Sequence, residues 1–189
     1  VKKTLSSEYF VIPKKAALAT EVALNEQRLI ASPDPRDCSV YVAIPFCPSR
    51  CSYCSFVSYT SPKLLSLIPE YLEKLKRDIA DNFAIINRLG LRVRTLYIGG
   101  GTPTILTEAQ LRDLLGFITT QTDVSALDEY TLEAGRPDTI NAEKFAIARE
   151  LGVTRVSVNP QSLCEDVLCG VGRSHTVDEF YTAYDIAKS

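Results

Sequence analysis

TLYIGGGTPTILTEAQLRDLLGFIT, residues 95–119, carries the signals of one strand, one glycine-rich turn and one helix in that order. The run at 95–98 is apolar, β-branched and aromatic, which is typical of a buried strand. Three glycines follow it, and a plain strand-to-helix turn rarely needs so many. Because glycine has no Cβ, we expect the backbone there to approach a ligand closely. Thr107 and Gln110 have the spacing of a capping box, which predicts a helix from there to about residue 119.

The same alternation continues on both sides of this unit. Further strands are predicted at 40–46, 130–134 and 155–159, and further helices at 69–89, 141–152, 163–170 and 177–188. Strands and helices that alternate at this spacing form right-handed βαβ units with a parallel sheet. A full barrel of eight units needs roughly 250 residues. The sequence therefore predicts the α/β class and a partial (β/α) barrel of about four β/α units, with its C-terminal strands missing.

The segment before this regular part has a different character. A helix is predicted over 14–31, and SPDPRD at 32–37 indicates a linker because it contains two prolines and three charges. We expect an N-terminal helical segment and linker over 1–37 and a truncated core domain over 38–189. The first core strand, VYVAIPF at 40–46, is apolar throughout, so we expect both of its faces to be buried.

The composition of the chain argues against several classes of function. The chain has 189 residues, with 21 Lys and Arg against 23 Asp and Glu, and a net charge of -2. A nucleic-acid surface would show as a basic excess, so we expect no nucleic-acid partner. No apolar run approaches the roughly 18 residues of a membrane span. Without a signal-like apolar region, the six cysteines favour a reducing cytoplasm over a disulfide framework.

Three of these cysteines, Cys47, Cys51 and Cys54, follow the first predicted core strand directly. Ligands of parallel α/β proteins bind at the carboxyl ends of strands, and thiolates select zinc, Cu(I) or iron–sulfur clusters. A structural zinc site needs a fourth ligand, such as Cys38 or a distant residue. Three thiolates with one open position suit a [4Fe–4S] cluster whose fourth iron takes a non-protein ligand. The remaining cysteines are expected to be inert small hydrophobes, namely Cys38, Cys164 and Cys169.

The string YVAIPFCPSRCSYCSF at 41–56 resembles the radical S-adenosylmethionine enzymes. Within them it is most similar to the coproporphyrinogen dehydrogenase family, the oxygen-independent coproporphyrinogen III oxidases and their relatives, which include haem chaperones. Further matching motifs follow in order: YIGGGTPT at 97–104, TLEAGRPD at 131–138, RVSVNPQS at 155–162 and GVGRSHT at 170–176. The resemblance implies a [4Fe–4S] cluster on the three clustered cysteines and S-adenosylmethionine as the second cofactor.

The resemblance also implies roles for individual residues. The turn residues Gly100, Gly101 and Thr102 correspond to those nearest the methionine amino group of S-adenosylmethionine. Glu133 corresponds to the residue that accepts hydrogen bonds from the ribose hydroxyls. Its position is also open to an ordinary interpretation, a carboxylate at the edge of a sheet.

The other implied cofactor contacts lie near the two ends of the core domain in the sequence. Gln161 and Arg173 correspond to a pair that contacts S-adenosylmethionine, and an arginine fork suits its methionine carboxylate. Tyr53 corresponds to the aromatic residue at the adenine. Tyr41 corresponds to a tyrosine beside the cofactor and is our candidate catalytic residue, although a packed strand aromatic is an equally ordinary role.

Three polar residues near these motifs are given no such role. Arg136 and Asp138 are predicted to be solvated loop charges. His175, the only histidine, is predicted to make a helix-cap or structural hydrogen bond rather than to bind the cluster.

The implied activity is a radical reaction. In the family, the reduced cluster cleaves S-adenosylmethionine to methionine and a 5′-deoxyadenosyl radical, which leads to decarboxylation of coproporphyrinogen III to protoporphyrinogen IX. The implied partners are a porphyrinogen or other small molecule and an electron donor such as flavodoxin or ferredoxin. Two alternatives stay open: a haem-binding chaperone that keeps the cluster, and a zinc-stabilised binding domain.

The match departs from the decarboxylating members at three points. They carry a further cysteine where this chain has Phe56, and a histidine where it has Ala43. The Asn159-Pro160 pair replaces a glycine-containing version. These departures indicate a divergent branch, and they weaken the substrate assignment more than the cofactor assignment.

Overall fold

The computed structural model describes residues 1–30 and 34–189. The chain divides into two compact units, Val1–Asp37 and Cys38–Ser189. The first contains helices α1 (Lys2–Ser7) and α2 (Pro13–Ile30). The predicted helix over 14–31 thus begins one residue earlier, and its last residue, with residues 32 and 33 of the predicted linker, lies outside the described residues.

Strands and helices alternate through the second unit, as predicted. In chain order the elements are β1 (Asp37–Ile44), α3 (Pro62–Leu65), α4 (Ile68–Arg88), β2 (Arg92–Gly100), α5 (Glu108–Gln121), β3 (Glu129–Ala134), α6 (Ala142–Glu150), β4 (Arg155–Val158), α7 (Glu165–Gly170) and α8 (Val177–Lys188).

The four strands form one parallel sheet in the order β1-β2-β3-β4. Tyr97 of β2 pairs with Thr131 of β3, and Glu133 of β3 pairs with Ser157 of β4. This confirms the predicted α/β class and the partial barrel. Because the strands are parallel, the loops after them meet at one edge of the sheet.

Local signals in the sequence explain where the helices begin. The Thr107 hydroxyl accepts from the Gln110 backbone N–H at 3.3 Å, and the Gln110 side chain accepts from the Thr107 N–H at 3.0 Å. This is the predicted capping box, and it satisfies two backbone donors that the first turn of α5 leaves unpaired. Asn141 caps α6 in the same way, accepting from the Lys144 N–H at 2.9 Å.

The hydrophobic core lies between one face of the sheet and helices α4, α5 and α6. It contains Val42, Ile44, Leu96, Ile98, Tyr130 and Leu132 from the strands, and Leu72, Ile79, Phe83, Leu111, Leu114, Leu115, Ile118 and Ile147 from the helices. The prediction that β1 is buried on both faces is wrong. Tyr41 is exposed between these core residues because alternate strand side chains point to opposite faces, and the helical core covers only the Val42 face.

The helices offer no candidate for a membrane span. Within the part of the chain that the structure describes, none combines the length and the apolar character that crossing a bilayer requires.

We expect Leu132→Ala to lower the free energy of unfolding by about 2–5 kcal/mol, because Leu132 is fully buried in a central strand and truncation leaves a cavity. The matched control is Leu89→Ala at the exposed end of α4. This substitution should change the free energy of unfolding by less than about 0.5 kcal/mol. Urea unfolding of both variants measures the difference, and equal losses would contradict the described core.

Candidate functional site

The glycine-rich turn after β2 lies directly against the end of β1. The Gly101 N–H donates to the Ile44 carbonyl at 2.9 Å, and the Thr102 N–H donates to the Phe46 carbonyl at 2.8 Å. A Cβ on Gly101 would lie 2.7 Å from the Phe46 carbonyl oxygen and 2.9 Å from the Cys47 sulfur. Any side chain would therefore push the turn away from the cysteine loop, which explains the glycine.

The three clustered cysteines line one cleft at this edge of the sheet. Cys47 and Cys51 are buried, and Cys54 is partly exposed. Burial raises the pKa of the Cys47 thiol, although the Thr102 hydroxyl, which donates to its sulfur at 3.2 Å, acts in the opposite direction. A protonated thiol is a poor ligand, so metal binding at Cys47 has to release a proton.

Among the described residues, no three metal-ligating side chains are grouped so that they could hold one metal ion. In a four-iron cluster each cysteine sulfur binds a different iron, so its cysteine ligands lie further apart than the ligands of a single ion.

Glu133 projects from β3 beside two tyrosines. Burial raises the pKa of Glu133, while the Gly100 N–H and the Tyr97 hydroxyl oppose this by stabilising the carboxylate. The Tyr41 ring stacks on the Tyr97 ring, with centroids 5.5 Å apart and planes 7° from parallel. A Cβ built on Gly99 would lie within 2.8 Å of side-chain atoms of all three residues, so they converge above that glycine.

Gln161 and Arg173 line the same cleft and are hydrogen-bonded to each other. Arg173 donates to the Gln161 side-chain oxygen at 3.0 Å, to the Tyr53 hydroxyl at 3.3 Å and to the Gly135 carbonyl at 2.7 Å. Gln161 has a φ of 61°, and Asn159 holds it by accepting from its N–H at 2.9 Å. A strained non-glycine backbone of this kind is often found at ligand sites.

The structure brings nearly all the predicted site residues to this one cleft. Its lining includes Cys47, Cys51, Tyr53, Cys54, Gly100, Gly101, Thr102, Glu133, Gln161 and Arg173. Tyr41 is placed beside it through its stacking on Tyr97.

Two polar atoms at the cleft fit a further ligand. The Arg173 Nε and the Ser58 hydroxyl are buried without a hydrogen-bond partner among the described residues. Both residues line the cleft. Unpaired buried polar groups are costly, so these atoms suit a polar molecule bound there. With three thiols, a carboxylate and an arginine, the donor set fits a [4Fe–4S] cluster together with S-adenosylmethionine.

The loop after β3 corrects one prediction. Arg136 is not solvated, because it is only 3% exposed. Asp138 is an exposed residue, as predicted, although its side chain, which pairs with Arg136, is only 19% exposed. Burial favours the protonated form of Asp138, but the Ser174 hydrogen bond and the Arg136 charge outweigh it and lower its pKa. The partners of Arg136 on Ser49 and Ser174 lie far along the chain, so no local signal in the sequence could have identified its burial.

The structure confirms the prediction for the histidine and contradicts the prediction for two of the cysteines. His175 is buried and lies 3.1 Å from the Pro160 carbonyl through Nε2, which confirms its predicted structural hydrogen bond. Cys164 and Cys169 are exposed, so the prediction that they pack as small hydrophobes is wrong. Both lie at the short helix α7, whose one buried side chain is Leu168.

No role was predicted for Lys144, which is buried and donates to the carbonyls of Thr104 and Thr139 at 2.8 Å and 3.0 Å. Burial lowers the pKa of Lys144. The only available signal is its place in the first turn of α6, where cations are unusual.

We expect Glu133→Gln to stabilise the protein at about pH 7 and to have little effect at about pH 4. A carboxyl whose pKa is raised in the folded state stabilises the fold below its unfolded pKa of about 4.3, and this contribution is lost as the pH rises through the folded value. Urea unfolding at both pH values measures the difference.

The matched control is Glu150→Gln. The hydrogen bond from Arg112 lowers the pKa of Glu150, so this exposed control should change in the opposite direction, losing stability near neutral pH. A pH-independent effect at Glu133 would contradict the assignment.

Comparison with known proteins identifies the family. The model of the Radical SAM superfamily matches residues 41–189. The oxygen-independent coproporphyrinogen-III oxidase-like protein HemZ of Bacillus subtilis is 34% identical over 97% of this chain and 37% of its own length. The heme chaperone HemW of the same organism is 36% identical over 79% of this chain and 38% of its own length.

A solved structure resembles the fold. It is coproporphyrinogen III oxidase (HemN) from Escherichia coli, described as a radical SAM enzyme. The match covers 79% of this chain and 34% of the HemN chain, with a TM-score of 0.69 and 26% sequence identity. The chain therefore spans little more than a third of the length of these relatives. It belongs to the Radical SAM superfamily, whose cofactors are a [4Fe–4S] cluster and S-adenosylmethionine.

Proposed function

We propose that Cys47, Cys51 and Cys54 hold a [4Fe–4S] cluster in the cleft and that S-adenosylmethionine binds beside it. The observation that carries the proposal is the convergence of these thiols with Glu133 and Arg173 on one cleft. When bound, the two cofactors supply one-electron cleavage of S-adenosylmethionine and abstraction of a hydrogen atom from a substrate.

The polar residues of the cleft have chemistry that suits S-adenosylmethionine. The unpaired Nε of Arg173 is a charged donor for the methionine carboxylate, and Gln161 holds the guanidinium in place. Glu133, as a carboxylate, accepts hydrogen bonds from ribose hydroxyls. Gly100 and Gly101 line the cleft, so their backbone is available to the methionine end.

The aromatic residues Tyr53 and Tyr41 contact the adenine of S-adenosylmethionine and the substrate, respectively. Tyr53 is half exposed at the rim and hydrogen-bonded to Arg173, so its ring and backbone are available to the adenine. Tyr41 presents its hydroxyl beside Glu133, on the side of the sheet opposite the helical core. We propose Tyr41 as the residue that faces the substrate and separates it from water.

For the substrate we propose a porphyrinogen, with oxidative decarboxylation of coproporphyrinogen III to protoporphyrinogen IX as the reaction. The similarity to HemN and to the oxidase-like HemZ supports this. An electron donor such as flavodoxin or ferredoxin completes the system. Free cysteines at every position suit the reducing cytoplasm.

The second candidate is a haem chaperone that binds the same cofactors without decarboxylating a substrate. The 36% identity to a relative named heme chaperone favours it. The sequence does too, since Phe56 and Ala43 replace a cysteine and a histidine of the decarboxylating members.

We expect Cys47→Ser, Cys51→Ser and Cys54→Ser each to abolish the absorption and the electron paramagnetic resonance signal of a [4Fe–4S] cluster after anaerobic reconstitution, because each removes one thiolate ligand. Cys169→Ser is the matched control and should retain both, since Cys169 is exposed outside the cleft. A parent protein that takes up one zinc and no iron would refute the cluster.

The two candidate functions differ in their products. We expect the full-length reconstituted protein, given coproporphyrinogen III, S-adenosylmethionine and a reductant, to form 5′-deoxyadenosine and a vinyl-bearing porphyrinogen, detected by chromatography and mass spectrometry. Tight haem binding with no vinyl product would instead establish the chaperone. Deoxyadenosine without a vinyl product would indicate another substrate.

A further inference from the structure

Arg136 is the one buried arginine among the described residues, and it lines the cleft without being one of the predicted cofactor contacts. Its guanidinium uses all five of its N–H donors. They reach Asp138 at 3.3 Å, the Ser49 carbonyl and hydroxyl at 3.4 Å and 2.8 Å, the Ser174 hydroxyl at 2.9 Å and the Cys51 sulfur at 3.5 Å. A cation that is fully paired and enclosed by protein is fixed in one position.

These contacts hold the cysteine loop against two distant segments. Ser49 lies between Cys47 and Cys51 in the sequence, so two hydrogen bonds from Arg136 to it fix the middle of the loop. Ser174 also donates to Asp138 at 2.7 Å. The same loop is attached to the segment before α8 by the Ser49 hydroxyl, which donates to the Gly172 carbonyl at 3.3 Å.

The contact with Cys51 adds an electronic effect. A thiolate that binds iron carries negative charge, and a buried N–H donor from a cation stabilises that charge. Hydrogen bonds to the cluster sulfurs are among the factors that set the reduction potential of a cluster. The effect is strong here because Arg136 and Cys51 are both buried.

We propose that Arg136 is a positioning residue for the cluster: it fixes the cysteine loop and stabilises the reduced state through the Cys51 thiolate. The inference rests on the proposed function, since it requires that Cys51 be a cluster ligand. It predicts that a change at Arg136 alters the affinity for the cluster and also shifts its reduction potential, without removing any ligand.

The test compares Arg136→Gln, Arg136→Lys and Arg112→Gln in the full-length protein after anaerobic reconstitution with iron and sulfide. Arg112 is the matched control, because it is exposed and pairs with Glu150 away from the cleft. Cluster affinity is measured by iron retention against a chelator. The midpoint potential is measured by redox titration followed by electron paramagnetic resonance.

We expect Arg136→Gln to lower cluster affinity about 10–100-fold, the usual effect of losing an outer partner of a metal ligand. Its midpoint potential should shift to a more negative value, because the charge that stabilises the reduced cluster is lost. Arg136→Lys keeps the charge but not the fork, so its potential should lie between those of the glutamine variant and the parent. Arg112→Gln should match the parent in both measurements.

A merely structural role gives a different result. In that case fewer clusters form in the variants, but those that do form keep the parent potential, and this outcome would overturn the proposal. If the glutamine variant fails to fold, the lysine variant decides, because the loss of its N–H···S contact alone predicts a more negative potential. A parent protein that binds no iron would refute the proposed function itself, which is a distinguishable outcome.

Discussion

The close contact between the turn after β2 and the end of β1 is the constraint on which the site depends. Two backbone hydrogen bonds, from Gly101 to Ile44 and from Thr102 to Phe46, extend the parallel pairing beyond the strands themselves. They bring the first cysteine of the loop under the Thr102 hydroxyl. A side chain at Gly101 would separate these parts, so the cysteine loop and the glycine-rich turn form one structural unit.

Because side chains alternate along the strands, one face of the sheet packs against the helices and the other face is free to form the site. One face supplies Ile98 and Leu132 to the helical core, and the other carries Tyr97 and Glu133, of which Glu133 lines the cleft. A carboxylate whose pKa is raised by burial reduces stability at neutral pH. The sheet therefore retains at Glu133 a residue that folding alone would not favour, which is expected where a ligand supplies the missing partners.

Patterns with a local physical cause could be predicted from the sequence. The capping box at Thr107 and the cap at Asn141 involve neighbours three residues apart, and the parallel sheet follows from regular alternation. The positions of the clustered cysteines at a strand end followed for the same reason. Predictions failed where burial depends on what packs from elsewhere, as in β1, whose uniformly apolar sequence did not reveal that Tyr41 is exposed.

Arg136 is the clearest example of a residue whose role could not be predicted from the sequence. Its acceptors on Ser49 and Ser174 are separated from it by 87 and 38 positions, and a charged residue in a loop is solvated unless such partners exist. Only the folded arrangement shows that the sheet edge brings them together. The sequence could predict candidate ligands for the site, but it could not predict the residue that holds the cysteine loop in place.

Two buried cations join the loops at this edge. Lys144 connects the turn after β2 to the turn after β3 through the Thr104 and Thr139 carbonyls, and Arg136 connects the β3 loop to the cysteine loop. Both cations are themselves buried, so removing either one leaves several acceptors without their donor at once. Lys144 and Arg136 thereby connect the irregular loop that carries three cysteines to the loops after β2 and β3, through side chains that are not themselves proposed ligands.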